Sequence, residues 1–111
     1  MPWTKVYTER EEFEKACKET GKKLRGITYR EAINEALFQI MEKDKRVFII
    51  VEGVDDSKGV FGTTIGLKEK FGKERVFDTP IAENGMTGVA IGAAVAGMKP
   101  IFVHMRTDFL P

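Results

Sequence analysis

The stretch Val47-Phe48-Ile49-Ile50-Val51-Glu52 decides the fold. Its first five residues are β-branched or aromatic, so a strand built from them has no polar side to turn toward water. A strand of that kind is buried on both faces, the habit of a parallel sheet covered by helices. Upstream, Thr28 and Glu31 have the spacing of a capping box. Ala32, Ile33, Ala36, Leu37, Ile40 and Met41 then mark one apolar face, which predicts a helix from Tyr29 to Lys43, with Asp44-Lys45 as the turn into the strand. Downstream, a polar loop runs from Gly53 to Gly62, and a short helix from Leu67 to Phe71 stops at Gly72. Arg75 to Asp78 reads as a second strand, Glu83 to Gly97 as a helix, and Pro100 to Met105 as a third strand. Helix and strand alternate throughout. The pattern predicts an α/β fold, a three-layer doubly wound parallel sheet with right-handed crossovers.

Composition narrows the function classes. The chain has 111 residues, room for one domain with one core. Lys and Arg number 18 against 17 Asp and Glu, a net charge of +1, so no basic footprint for nucleic acid is present. A single cysteine, Cys17, excludes an intramolecular disulfide and suits a reducing compartment. The start Met1-Pro2-Trp3-Thr4-Lys5 lacks an apolar signal region, and Val89 to Met98 is too short and glycine-rich for a membrane span. A cytoplasmic protein with no membrane or nucleic-acid partner is expected. Residues 1–26 read separately, as a charged N-terminal helical extension ahead of a domain at 27–111. Phe13, Ala16 and Cys17 stand at helical spacing among its charges, and Gly21 ends the helix.

The chemistry concentrates in Asp78-Thr79-Pro80-Ile81-Ala82-Glu83-Asn84-Gly85-Met86-Thr87-Gly88, which sets Glu83 at a strand-to-helix turn before a helix of small residues. A carboxylate there is either a helix cap or a working group. Each glycine inside that helix costs about 0.5–1 kcal/mol relative to alanine. The return is close packing within the chain, a subunit interface, or a cofactor against the helix start. Gly85, Gly88 and Gly92 lie inside the helix and not in the turn before it, which excludes a dinucleotide fingerprint. His104 is the only histidine and reads as a core or interface residue; with one cysteine it composes no metal cluster. Asp55-Asp56 reads as turn chemistry, not a cation site. No nucleophile elbow or Walker A sequence occurs. Glu52 and Glu83 remain, each following a parallel strand at its carboxyl end, the edge where open α/β sheets bind ligands.

An ordered series of segments carries a resemblance. It runs from Ile27-Thr28-Tyr29-Arg30-Glu31-Ala32-Ile33-Asn34-Glu35-Ala36-Leu37 through Arg46-Val47-Phe48-Ile49-Ile50-Val51-Glu52, Gly59-Val60-Phe61, Gly66-Leu67 and Phe71-Gly72. It continues with Arg75 through Glu83, Gly88 to Pro100, Met105 and Asp108-Phe109-Leu110. From Ile27 onward the chain resembles the amino-terminal part of the β subunit of thiamine-diphosphate-dependent 2-oxo acid dehydrogenases, the E1β family. That family includes the pyruvate, branched-chain 2-oxo acid and acetoin enzymes. The resemblance implies that Glu83 hydrogen-bonds N1′ of the cofactor's aminopyrimidine and promotes proton loss from the thiazolium carbon. That carbon then attacks a 2-oxo acid, carbon dioxide leaves, and the acyl group passes to a lipoyl group. Glu52 would relay protons nearby, and Met105 and Phe109 would pack against the pyrimidine, with Ile81 also in the cofactor-binding set.

The implied partners are an E1 α subunit, a second β subunit in an α2β2 assembly, and a lipoyl-bearing E2 component. The α subunit would bring the Mg²⁺ and diphosphate site, whose Gly-Asp-Gly motif with a distant Asn is absent here. The 111-residue chain is accordingly expected to be a truncated pyrimidine-binding domain, inactive alone. Many family members carry a glutamate at the place of Val103 and an apolar or small residue at the place of Arg106, which leaves the 2-oxo acid open. Two alternatives stay in view: a non-catalytic truncated or accessory module that keeps fold and interface, and a fragment of transketolase or deoxyxylulose-phosphate-synthase type.

Overall fold

A strand with no polar face needs a neighbour on each edge and a cover on each side, and the computed structural model gives the Val47–Val51 strand all of these. The structure describes residues 6–21, 25–53, 58–106 and 108. Its elements in chain order are α1 (Arg10–Thr20), α2 (Tyr29–Lys43), β1 (Val47–Val51), α3 (Leu67–Phe71), β2 (Val76–Asp78), α4 (Glu83–Val95) and β3 (Lys99–Val103). The sheet order is β2-β1-β3, all parallel, with Ile49 opposite Val76 and Ile101, and Val51 opposite Asp78 and Val103. Every residue of β1 is buried, as the apolar run requires.

Side chains alternate across the pleat, so β1 feeds two layers. Val47, Ile49 and Val51 join Val76, Leu37, Met41, Val60 and Leu67 in one core, with Phe38, Phe71, Ile101 and Val103 packed against it. Helices α2 and α3 cover this face. Phe48 and Ile50 turn to the other face, where Phe48 stacks on Phe77 at 5.8 Å between ring centroids. Helix α4 packs there against β3. Each fully buried Ile, Met or Leu contributes about 1.5–3 kcal/mol relative to exposure.

Local chemistry sets the element ends. The Thr28 hydroxyl accepts the Glu31 amide while the Glu31 carboxylate accepts the Thr28 amide at 2.7 Å, completing the capping box of α2. These bonds hold the Glu31 carboxyl below its ordinary range, the Thr28 amide contributing most. Helix α1 ends at Gly21 as expected and buries none of its residues. Helix α4 closes at Val95, two residues before the expected end at Gly97. Gly97 takes φ +90°, and the Met98 and Gly97 amides bond back to Ala93 and Ala94 at 3.0 Å. That is a Schellman closure, and the left-handed residue it requires stops the helix. β2 starts at Val76, one residue later than expected, and β3 spans Lys99–Val103 in place of Pro100–Met105. His104 and Met105 therefore stand beyond the strand.

The amino edge of the sheet is fastened by charge. The Arg75 guanidinium donates to the carbonyls of Met41, Asp44 and Val47 at 2.7–3.0 Å, tying α2, the turn and β1 to β2. The Asp44 carboxylate pairs with Arg46 and with Lys99, each at 2.8 Å, which anchors the first residue of β3. The Arg46 side chain, then Lys99 and the Arg46 amide, hold the Asp44 carboxyl far below its ordinary value.

Candidate ligand site at the carboxyl edge

The connection from β1 runs to β2 on one side, and the chain then crosses back over β1 to reach β3 on the other. Successive connections thus part between β1 and β3, and a crevice opens outside the carboxyl ends of those strands. Glu52, the residue after β1, lies at this point and is 7% exposed. By the alternation Phe48, Ile50, Glu52 it turns to the α4 side, and its Oε1 accepts the amide of Ala82 at 3.4 Å. Ala82 is the N-cap residue of α4 and brings no side-chain cap. Glu83 is consequently the first helical residue and not the cap, so the capping reading of this carboxylate does not hold. It is half-buried, and no hydrogen bond or ion pair engages it among the described residues. The floor of the crevice is firm. Asp78 Oδ1 accepts the Gly53 amide at 2.6 Å and the Thr79 amide at 3.1 Å, bracing β1 against β2.

Gly53, at φ +88°, carries the backbone past this edge with no side chain, and a Cβ there would lie 4.0 Å from the Met105 methyl. Met105 is 42% exposed and borders the same opening. Ile81 stands 83% exposed just before α4. The structure thus gathers Glu52, Glu83 and Met105 around the β1–β3 edge, with Ile81 at its rim. Phe109 lies outside the described residues, as do Asp55 and Asp56.

Sequence reasoning missed several features. Among the described residues, Thr79 Oγ1 just after β2, Thr87 Oγ1 within α4 and His104 Nδ1 just after β3 are buried with no hydrogen-bond partner. Buried polar atoms are ordinarily bonded, so each of the three leaves bonding capacity unused. His104 is half-buried, its ring on Phe102 at 4.1 Å between centroids and its Nδ1 unbonded among the described residues. Phe61, 70% exposed, holds φ +50° in the loop before α3, a conformation an aromatic residue rarely adopts. Only the register and the orphaned atoms reveal these positions; nothing in residue spacing signals them.

Helix α4 presents a second feature. It is apolar nearly all round, yet none of its residues is buried, and Val89, Ile91 and Val95 are 50–86% exposed. A Cβ added to Gly88 or Gly92 would meet nothing within 4 Å. Close packing within the described chain therefore does not account for those glycines. Among the described residues no helix is long and apolar enough to cross a membrane.

Residues 25–111 match the family described as transketolase, pyrimidine binding domain. The chain is similar to the 2-oxoisovalerate dehydrogenase subunit beta of Bacillus subtilis, with 50% identity over 84 residues, 76% of this chain and 26% of the relative. It is similar also to the pyruvate dehydrogenase E1 component subunit beta of Rickettsia conorii, at 47% over 83 residues, 75% of this chain and 26% of the relative. The mitochondrial subunit beta-1 of the same component in Arabidopsis thaliana is 46% identical over 83 residues, 75% of this chain and 23% of the relative. The chain spans about a quarter of the length of each of these relatives.

Proposed function

This chain belongs to the family of transketolase pyrimidine-binding domains, and we propose that it supplies the aminopyrimidine half of a thiamine diphosphate site in a 2-oxo acid dehydrogenase. The reading rests above all on Glu83: a carboxylate at the first position of α4, free of capping duty, beside the buried Glu52 at the sheet's switch point. The residues fit such a group. An aminopyrimidine is flat and apolar on its faces and polar at its rim. Met105 and the bare backbone of Gly53 suit the faces, and the Glu83 carboxyl suits a ring nitrogen.

Bound thiamine diphosphate would supply the electron sink for decarboxylation of the 2-oxo acid, with acyl transfer to a lipoyl group. The chain's own residues hold and move a proton. Glu83 shares one with N1′ of the ring. Glu52, through the Ala82 amide, fixes where α4 begins and hence where Glu83 stands. Ile81, Met105 and Phe109 exclude water from the ring. An α subunit brings the diphosphate and Mg²⁺ contacts, and the exposed face of α4 is the surface that meets a partner subunit, α or a second β. A lipoyl-bearing component takes the product. Residues 1–26 form an extension ahead of the domain at 27–111, in a cytoplasmic protein whose Cys17 is free.

Gel filtration of the chain with an E1 α subunit tests this reading, followed by near-ultraviolet circular dichroism on adding thiamine diphosphate and Mg²⁺. Co-elution and a cofactor-dependent signal are expected. A mixture whose spectrum and melting temperature ignore the cofactor sinks the proposal. The unpartnered face of α4 favours one second reading, a non-catalytic module that assembles but binds no cofactor; co-elution without the spectral change identifies it.

A further inference from the structure

The β1–β3 register places two polar side chains together that no spacing in the sequence suggests. Val51 pairs with Val103, and the register carried one residue past both strands sets Glu52 across from His104. Both lie on the α4 side of the sheet. Glu52 reaches the Ala82 amide there, and His104 continues the alternation of Phe102, on whose ring it rests. Glu52 is 7% exposed, and His104 Nδ1 is buried with no partner among the described residues. A buried imidazole nitrogen without a bond is destabilising, a cost that a second group at the site would remove.

We propose that His104 is a positioning residue for Glu52: the imidazole and the carboxylate share a proton across the β1–β3 gap, and the pair tightens when a ligand fills the crevice. The inference rests on the reading of the crevice as an aminopyrimidine site. Hydrogen bonds of this kind are commonly long in ligand-free proteins and shorten in the complex. The consequence runs along a short path. His104 steadies Glu52, Glu52 holds the amide of Ala82, and Ala82 sets the first turn of α4 that carries Glu83. The other charged groups near the pair are Glu83 on α4, Asp78 after β2, and Arg106 with Asp108 downstream. Asp78 is engaged by the Gly53 and Thr79 amides, and Arg106 and Asp108 pair with each other at 2.8 Å. Glu83 is unengaged among the described residues but belongs to α4; the β1–β3 register sets Glu52, not Glu83, across from His104.

The test uses the assembly of this chain with an E1 α subunit, thiamine diphosphate and Mg²⁺, and reads hydrogen–deuterium exchange at the thiazolium carbon. His104→Phe keeps the ring on Phe102 and should slow exchange about tenfold, and Glu52→Gln about tenfold to a hundredfold, below the roughly 10²–10⁴-fold of a group that transfers the proton itself, as suits residues that act through another. The double variant should be no slower than Glu52→Gln alone, and His104→Asn, which keeps a polar atom at the Nδ1 position, should restore most of the rate. Additive losses, or a His104→Phe rate equal to wild type, overturn the pairing while leaving the aminopyrimidine reading intact. Absence of cofactor binding by the wild-type assembly overturns both. Because the chain has one histidine, labelling it alone with ¹⁵N gives an independent reading. Its ring-nitrogen signals should change when cofactor is added, and the change should vanish in Glu52→Gln; a change that survives that substitution counts against the pair.

Discussion

At the amino edge of the sheet, Asp44, Arg46, Arg75 and Lys99 bond to one another and to the backbone of α2 and β1. At the carboxyl edge, Glu83 has no such partner among the described residues, and three buried polar atoms have none either. The same kinds of side chain finish the two ends of the same strands in opposite ways. One end is chemically closed, and its charges contribute to stability. The other is left open, at the place where the chain's connections part. Polar groups that could have been satisfied internally but are not represent stability forgone, and such groups collect where a protein binds something.

Substitutions at the two ends should therefore separate function from folding. The largest effect is expected from Glu83→Gln, which should slow exchange at the thiazolium carbon of an active assembly about 10²–10⁴-fold while leaving the melting temperature unchanged. A comparable loss of stability would show that Glu83 belongs to the closed end's logic instead. Next is Gly92→Leu on the open face of α4. Gel filtration should show the chain folded but no longer joined to its partner; unimpaired association would remove α4 from the interface. At the amino edge, Arg75→Met keeps the apolar stem but strips three carbonyls of their donor. Denaturant unfolding should register a loss of about 2 kcal/mol with cofactor affinity preserved in the surviving assembly.

The smallest effect concerns pH. Arg46 and Lys99 hold the Asp44 carboxyl below its ordinary value of 3.8 in the folded chain. The contribution is thus fully present above that value and is lost as pH falls below it. Asp44→Asn should lower the melting temperature at neutral pH and flatten its decline below about pH 4. An unchanged acid limb would mean that the clasp does not couple to folding.

The contrast also explains what the sequence discloses and what it hides. α2, β1 and α3 take the limits expected of them because capping residues, apolar period and burial agree there. The last turn of α4 and the bounds of β3 depend on the left-handed Gly97 and on the pairing of Lys99 with the amino-edge clasp, which local propensity does not report. Arg75 reads as the first residue of the second strand, and only folding sets it just ahead of β2 and brings it under three carbonyls contributed by residues 28 to 34 positions away. Glu52 and Glu83 were visible because each follows a strand or opens a helix. His104 reads as a core or interface residue, and nothing in residue spacing links it to Glu52, 52 positions upstream, which the β1–β3 register brings to the same end of the sheet.

The most direct test of the open edge is amide hydrogen exchange of the assembly with and without thiamine diphosphate and Mg²⁺. Cofactor should protect residues 52–53, 81–88 and 103–106 and leave 44–47 and 75–76 unchanged. Protection centred on the amino edge, or none at the carboxyl edge while cofactor is bound, would contradict the assignment.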